Sequence, residues 1–244
     1  MNSSEYDKDV STFNPEGKLQ QIRYAFEAVK LGACIVGLVS EESGAVVIAS
    51  YRRKFEDLAE CAKKTVKLYD HMGMTVSGLN ADVIYLIDYL QQEADNWDYV
   101  YESDIPIQKI ANNLALKIHK RTIRYGNRPY GVGVLLAGVD RTGPKLYCLY
   151  PSGSAYQFHC HTLGARSESA KTYLDVNAEA FKTASTEELI LHAIRALNTT
   201  LKQETLSAEL IDVSIVTNDT PFSALTPQEL DQYVNIVLEP QNDE

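Results

Sequence analysis

The chain has 244 residues, 45% hydrophobic and 23% charged, with 23 basic against 33 acidic side chains and a net charge of −10. That length suits one domain of the larger α/β size or two small ones, and the apolar content suffices for a buried core. The acidic balance argues against nucleic-acid binding, which needs clustered Lys and Arg to displace counterions, and against docking on anionic lipid.

No apolar stretch approaches the roughly 20 residues of a membrane span, and the polar opening Met1 to Glu5 is not a secretory leader. Cys34, Cys61, Cys148 and Cys160 form no CxxC pair and read as reduced thiols, so cytoplasm and nucleus are the expected locations. No linker, low-complexity tract or repeat divides the sequence, so residues 1–244 are expected to form a single domain. No cofactor or metal is expected.

Phe13-Asn14-Pro15-Glu16-Gly17 reads as a turn, with Pro presetting φ and Gly closing it. The following segment, 18–31, places Leu19, Ile22, Phe26 and Val29 on one helical face, and Gly32 ends the helix. Ala33 to Leu38 and Ala45 to Ser50 flank Glu41-Glu42-Ser43-Gly44 as a hairpin. Further strands are expected at Val66 to Tyr69 and Met72 to Val76. A helix from Asn80 carries the stripe Val83, Ile84, Ile87, Leu90, Ala94. A second opens at Pro106 with Ile107, Ile110, Leu114 and Ile118, Pro being tolerated in a first turn. Val132 to Val139 and Lys145 to Tyr150 make another strand pair, and Tyr156 to Leu163 a further strand. Helices follow from Ser167 and from Ser185, the latter with a capping box to Glu188. Ile211 to Val216 is a strand, and Thr226-Pro227-Gln228-Glu229 caps a last helix.

Hairpin-linked strand groups separated by helices point to antiparallel sheets covered by helix layers, where strict βαβ alternation would point to a parallel sheet. The expected class is α+β, and a four-layer αββα sandwich fits the order.

Several motifs in sequence resemble the proteasome alpha subunits. The run from Tyr6-Asp7 through Pro15-Glu16-Gly17 to Tyr24-Ala25-Phe26-Glu27-Ala28-Val29 is similar to their amino-terminal signature. The likeness continues at Asp70-His71-Met72-Gly73, Ser77-Gly78-Leu79-Asn80-Ala81-Asp82, Arg128-Pro129-Tyr130-Gly131-Val132-Gly133, Ala137-Gly138 and Gly164-Ala165-Arg166-Ser167. It covers Tyr6 to about Leu238 and is most like the eukaryotic alpha-six paralogue. Three positions depart from the signature: Lys8 and Lys18 stand where Arg is usual, and Arg23 where Glu is usual, a reversal of charge.

The resemblance implies the N-terminal nucleophile hydrolase fold and a non-catalytic subunit. In the related beta subunits a processed amino-terminal threonine attacks the peptide carbonyl with its own amine as base. By this likeness the threonine's position falls at Ala33, the acidic partner's at Tyr51 and the lysine's at Lys64. No catalytic residue is therefore expected. It further implies a ring of seven alpha subunits on a beta ring, with residues 1–17 as a gate-forming tail and Tyr6, Asp7, Pro15 and Tyr24 as the gate cluster. Pockets between alpha subunits would take the carboxyl-terminal tails of regulatory ATPases or activators, on Gly17, Gly32, Lys64 and Leu79, with Lys63 and Lys67 close by in sequence. The role implied is ring assembly, gating and activator docking in ubiquitin-dependent degradation.

Other residues invite chemistry less strongly. The alternative, a self-processed N-terminal nucleophile hydrolase, needs cleavage that exposes Thr, Ser or Cys at a strand start. Cys34, beside Ala33 in an apolar run, reads as core. His159-Cys160-His161 offers two imidazoles on one strand face, too few for a metal site. The basic run Lys117-Ile118-His119-Lys120-Arg121 complements a helix dipole.

Overall fold

The computed structural model describes residues 8–52, 63–201 and 206–238. Tyr6, Asp7 and Cys61 lie outside the described residues. Helix α1 (Gln20–Leu31) precedes the hairpin β1 (Ile35–Ser40) and β2 (Ala45–Tyr51), then β3 (Thr65–Tyr69) and β4 (Met72–Gly78). Helices α2 (Asn80–Tyr101) and α3 (Ile107–Thr122) follow. After them come β5 (Val132–Asp140), β6 (Gly143–Leu149), β7 (Ala155–Phe158) and β8 (Cys160–Leu163). The chain continues through α4 (Ser167–Thr183), α5 (Thr186–Asn198), β9 (Ile211–Val216), β10 (Ser223–Ala224) and α6 (Pro227–Leu238).

The strands form two antiparallel sheets, ordered β10-β9-β2-β1-β8 and β3-β4-β5-β6-β7. Between them Ile35, Val39, Val46, Ile48, Leu135, Ala137, Leu146 and Cys148 share one core. On the outer face of the first sheet, Val36, Leu38 and Val47 meet Leu174, Phe181, Ile190 and Ile194 of α4 and α5. On the outer face of the second, Met74, Val134 and Leu136 meet Leu86, Leu90, Ile110 and Leu114 of α2 and α3. The layers are therefore helix, sheet, sheet, helix. Both faces of each sheet are covered, which is why β1, β2 and β5 read as continuous apolar runs instead of alternating ones.

The capping box at the start of α5 is present in full, from Ser185 to Glu188. Thr226 and Glu229 make the same exchange ahead of α6.

Two expectations need correcting. Tyr156 to Leu163 is not one strand: the chain bends at His159, so β7 pairs with β6 in the second sheet and β8 with β1 in the first. A sheet change leaves no mark on local hydrophobicity. On α2 the buried apolar side chains are Val83, Leu86, Leu90 and Ala94, while Ile84 is exposed. Ile84 lies a further 100° around the helix from Val83, off the packed stripe. The two-residue β10 was not foreseeable from Ser223-Ala224; it exists because β9 offers it a ladder.

Helix α1 crosses one end of the sandwich. Its Val29 enters the inter-sheet core beside Leu163. Its last turn is tied to β4, where Ser77 Oγ lies 3.0 Å from the Val29 carbonyl and 2.8 Å from that of Ala33.

Candidate functional site

The end of the sandwich closed by α1 holds most of the described residues singled out by resemblance. Gly32 follows α1 directly, and its φ of −68° is open to any residue. A glycine is required there for another reason: a Cβ would collide with the Gly78 backbone nitrogen and with Ser77 Oγ. Its carbonyl also accepts the Ala165 N–H at 2.8 Å. Leu79, the next residue after that contact, caps α2, and its N–H donates to the Gly131 carbonyl at 3.0 Å. Its side chain remains about half exposed.

Lys64 lies just before β3, and its carbonyl accepts the Val76 N–H. Its ammonium donates to Asn80 Oδ1. Burial holds that ammonium below the usual lysine range. Neighbouring Lys67 is engaged elsewhere, 2.6 Å from Asp70, and Lys63 is exposed. Gly32, Lys64 and Leu79 thus converge on residues 76–80, the junction of β4 and α2.

Gly17 is placed differently. It closes the turn ahead of α1 with φ +74° and open space around it. The intervening helix has 12 residues, about 18 Å at 1.5 Å per residue. The turn is built by Asn14, whose Oδ1 accepts the Glu16 and Lys18 N–H groups and whose carbonyl accepts that of Gly17. Pro15 in this turn is exposed, and Tyr24 on α1 is half exposed. The Lys18 ammonium at 2.9 Å, and beyond it the Arg23 guanidinium, hold the Glu16 carboxyl below its ordinary range. Arg23, the reversed-charge position, therefore adds a favourable charge at longer range to the acidic residue of this turn. Ahead of it, Asp9 gathers Ser11 and Thr12, and Val10 is buried.

Ala33, the residue to which the resemblance assigns the nucleophile's position, carries only a methyl group. Its backbone nitrogen is an amide within the chain, and its carbonyl is held by Ser77. Tyr51, to which the resemblance assigns the acidic partner's position, ends β2 and donates its N–H to the Cys34 carbonyl at 2.9 Å. The Cys34 thiol lies in the outer core of the first sheet, 3.5 Å from Thr162 Oγ1, and burial pushes its pKa up to about 11.

Sequence reasoning missed the contact that joins two of the recognised motifs. The Asp82 carboxylate on α2 takes both arms of Arg128, at 2.7 and 2.8 Å, and the Gly131 N–H at 3.0 Å. Burial alone would raise that carboxyl; the Arg128 and Gly131 bonds outweigh it and hold it low.

The histidine pair does not share a strand face. His159 belongs to the bend between sheets, 3.4 Å from Glu41. His161 is stacked on Phe158 with ring centroids 4.2 Å apart, and its Nε2 lies 2.9 Å from the Tyr150 hydroxyl. Burial, with the charge of Lys171, drives its pKa down to about 4. Among the described residues no group of three or more His, Cys, Asp or Glu is arranged to hold a metal. In the basic run, Lys117 covers the Tyr89 ring and Arg121 that of Tyr130, at 4.4 and 5.0 Å from the centroids.

A broad cleft opens at the opposite end of β4, lined by His71, Trp97, Asp104, Asp140 and Asn218. Asp140 is already occupied there by Thr142, Lys145 and the Ile107 N–H. No residue singled out from the sequence as a site lines it.

The chain matches the proteasome subunit family model over residues 29–216, and the N-terminal signature of A-type proteasome subunits over residues 6–28. It is 38% identical over 239 residues to the alpha type-1 proteasome subunit of Dictyostelium discoideum, covering 97% of this chain and 96% of that protein. To the alpha type-6 proteasome subunit of Saccharomyces cerevisiae it is 34% identical over 236 residues, covering 96% of this chain and 100% of that protein. A probable alpha type-6 proteasome subunit of Schizosaccharomyces pombe is 38% identical over 224 residues, 91% of this chain and 82% of that protein.

Proposed function

This chain belongs to the proteasome subunit family and is an alpha-ring subunit of the 20S core, and we propose that in the ring it works as a gate and docking subunit without a nucleophile of its own. The observation that carries this is the state of residue 33. Attack by an N-terminal nucleophile needs a hydroxyl or thiol on a residue whose amine is free. Here the residue is Ala33, and α1 precedes it. Cleavage ahead of Ala33 or Cys34 would remove α1, and with it Val29 from the inter-sheet core. The self-processing alternative therefore has the fold against it.

The same extension gives the subunit its proposed work. The turn at Asn14 to Lys18 and helix α1 carry Pro15 and Tyr24, and with Tyr6 and Asp7, which lie outside the described residues, these would form the gate cluster. A tail with this role would shift between open and closed arrangements on small differences in contact energy. The junction of β4 and α2 offers Lys64 and Leu79 to an incoming carboxyl-terminal tail, a charge-assisted contact flanked by an apolar one. Gly17, about 18 Å away along α1, would meet a residue several positions further up the same extended tail. Partners in this reading are neighbouring alpha subunits in a seven-membered ring, the beta ring, and regulatory ATPases or activators, in cytoplasm and nucleus.

The test is deletion of residues 2–12 in the assembled particle. Peptide hydrolysis without activator is expected to rise several-fold; an unchanged rate removes this tail from the gate. Threonine-type peptidase activity from the purified polypeptide alone would sink the non-catalytic assignment.

A further inference from the structure

We propose that Asn80 is the positioning residue of this subunit's tail pocket, holding the Lys64 ammonium while leaving its charge uncompensated for an incoming carboxylate. The inference rests on the docking role proposed above and adds a specificity determinant to it.

Three observations carry it. First, the Lys64 ammonium donates to Asn80 Oδ1, and no carboxylate among the described residues pairs with it. A neutral amide oxygen orients the ammonium without cancelling its charge. Second, Asn80 is the first residue of α2 and supplies no cap to that helix: Leu79 is the N-cap, with no side-chain hydrogen bond. The Asn80 side chain is turned to Lys64 instead. Third, the cation stands at the amino end of a 22-residue helix, where the macrodipole is positive and a lysine is disfavoured. Partial burial adds to the cost. A half-buried cation at the positive end of a helix, held by a neutral acceptor, is relieved by an anion. A terminal carboxylate is the matching group, because Leu79 beside it presents a half-exposed apolar side chain to the residues that precede such a terminus.

The arrangement also explains why the partner is an amide and not an acid. Asp at position 80 would be the better residue for a helix start. It would also neutralise Lys64 and repel the tail carboxylate, closing the pocket electrostatically with little change in shape.

The test uses the assembled core particle and a synthetic tail peptide with a free carboxyl terminus and a photo-crosslinking residue near that terminus. Adducts on this chain are quantified by mass spectrometry as the peptide concentration is varied, with adducts on the other alpha subunits as internal reference. The half-saturation concentration for this chain is expected to rise about tenfold or more in Asn80→Asp and about two- to tenfold in Asn80→Ala, where one hydrogen bond is lost. With the carboxyl-amidated peptide, wild type and Asn80→Asp are expected to be equally weak, a coincidence that a purely structural role for Asn80 would not produce. If Lys64→Ala and amidation both weaken labelling but the Asn80 variants match wild type, the positioning role is overturned and the docking role stands. If neither Lys64→Ala nor amidation has any effect, the docking role itself is overturned, and this inference with it.

Discussion

The two ends of α1 are built on opposite principles. At its start, the turn around Asn14 holds itself: Asn14 satisfies three backbone N–H groups from within four residues, and Gly17 has nothing within 4 Å of where a Cβ would stand. At its end, Gly32 and Ala33 are held by β4, by the Gly78 backbone and by the Ala165 N–H, with no room for one more carbon. A self-contained turn can move as a unit without disturbing the sandwich. A junction locked by distant segments cannot move without opening the core. The same extension thus contains a part suited to motion and a part that prevents the first strand from ever presenting a free terminus.

The largest effect expected from attacking this contrast is Gly32→Ala. The added methyl meets backbone, which cannot rotate away, so the cost belongs at the top of the roughly 1–3 kcal/mol range for overpacking or above it. Incorporation of the variant into core particles, measured by native mass spectrometry against a co-expressed wild-type copy, is expected to fall sharply. Equal incorporation would mean that the junction is not locked.

Next in size is the Asp82 clamp, which secures the β4–α2 side of the same junction. Asp82→Asn keeps one oxygen for the Gly131 N–H but loses the charge and sets an NH2 group against Arg128; because Arg128 is largely solvated and the pair is screened, the expected cost is about 1–2 kcal/mol. The sign with pH follows from the lowered carboxyl. Its contribution is complete above about pH 4, the unfolded carboxylate value, and is lost as pH falls through the depressed folded value. Hydrogen exchange on this chain's peptides within the particle checks it. Acid should lower protection, relative to the intrinsic exchange rate at each pH, at residues 28–34 and 76–84 before it does so at residues 14–18, and Asp82→Asn should remove that difference. Glu16 is also held low, but its partnership with Lys18 is exposed on both sides and adds little to stability.

Ser77→Ala removes one hydroxyl lying 3.0 and 2.8 Å from two carbonyls, for about 1 kcal/mol. Faster exchange confined to the Val29–Ala33 end of α1 is the expected result. Faster exchange at the Asn14 turn as well would show that the two ends of the helix are coupled after all.

What the sequence disclosed of this contrast depended on distance along the chain. Helix stripes, hairpins and both capping boxes are local patterns, and they appear in the structure close to where the residues put them. Gly32 was legible as a helix stop and, by resemblance, as a pocket residue. Its real constraint is close approach to Gly78, which lies 46 positions further along. The Asp82–Arg128 pair spans the same separation, and its two halves stood in separate motifs with nothing to join them. Asn80 read as a helix start, since an amide there usually caps; only the fold brings Lys64 to it. The bend at His159 was hidden because moving from one covered sheet to another preserves the apolar pattern. Of the residues expected in the gate cluster, Pro15 and Tyr24 are exposed on the turn and on α1, while Tyr6 and Asp7 lie outside the described residues.

The smallest effect expected on the fold is Gly17→Ala, and it tests the other half of the contrast. Alanine at φ +74° is strained by roughly 1–2 kcal/mol, but it also reduces the freedom of the unfolded chain by about 0.4–1 kcal/mol. With no neighbour to collide with, the two terms leave a net cost of about 1 kcal/mol or less, carried by the turn alone. Assembly and exchange at residues 28–34 are expected to match wild type, because the hydrogen bonds that build the turn lie within residues 14–18. A change in peptide hydrolysis without activator would then report on the gate and not on the sandwich. If Gly17→Ala instead lowered incorporation as Gly32→Ala does, the turn would be as locked as the junction, and its independence would be lost.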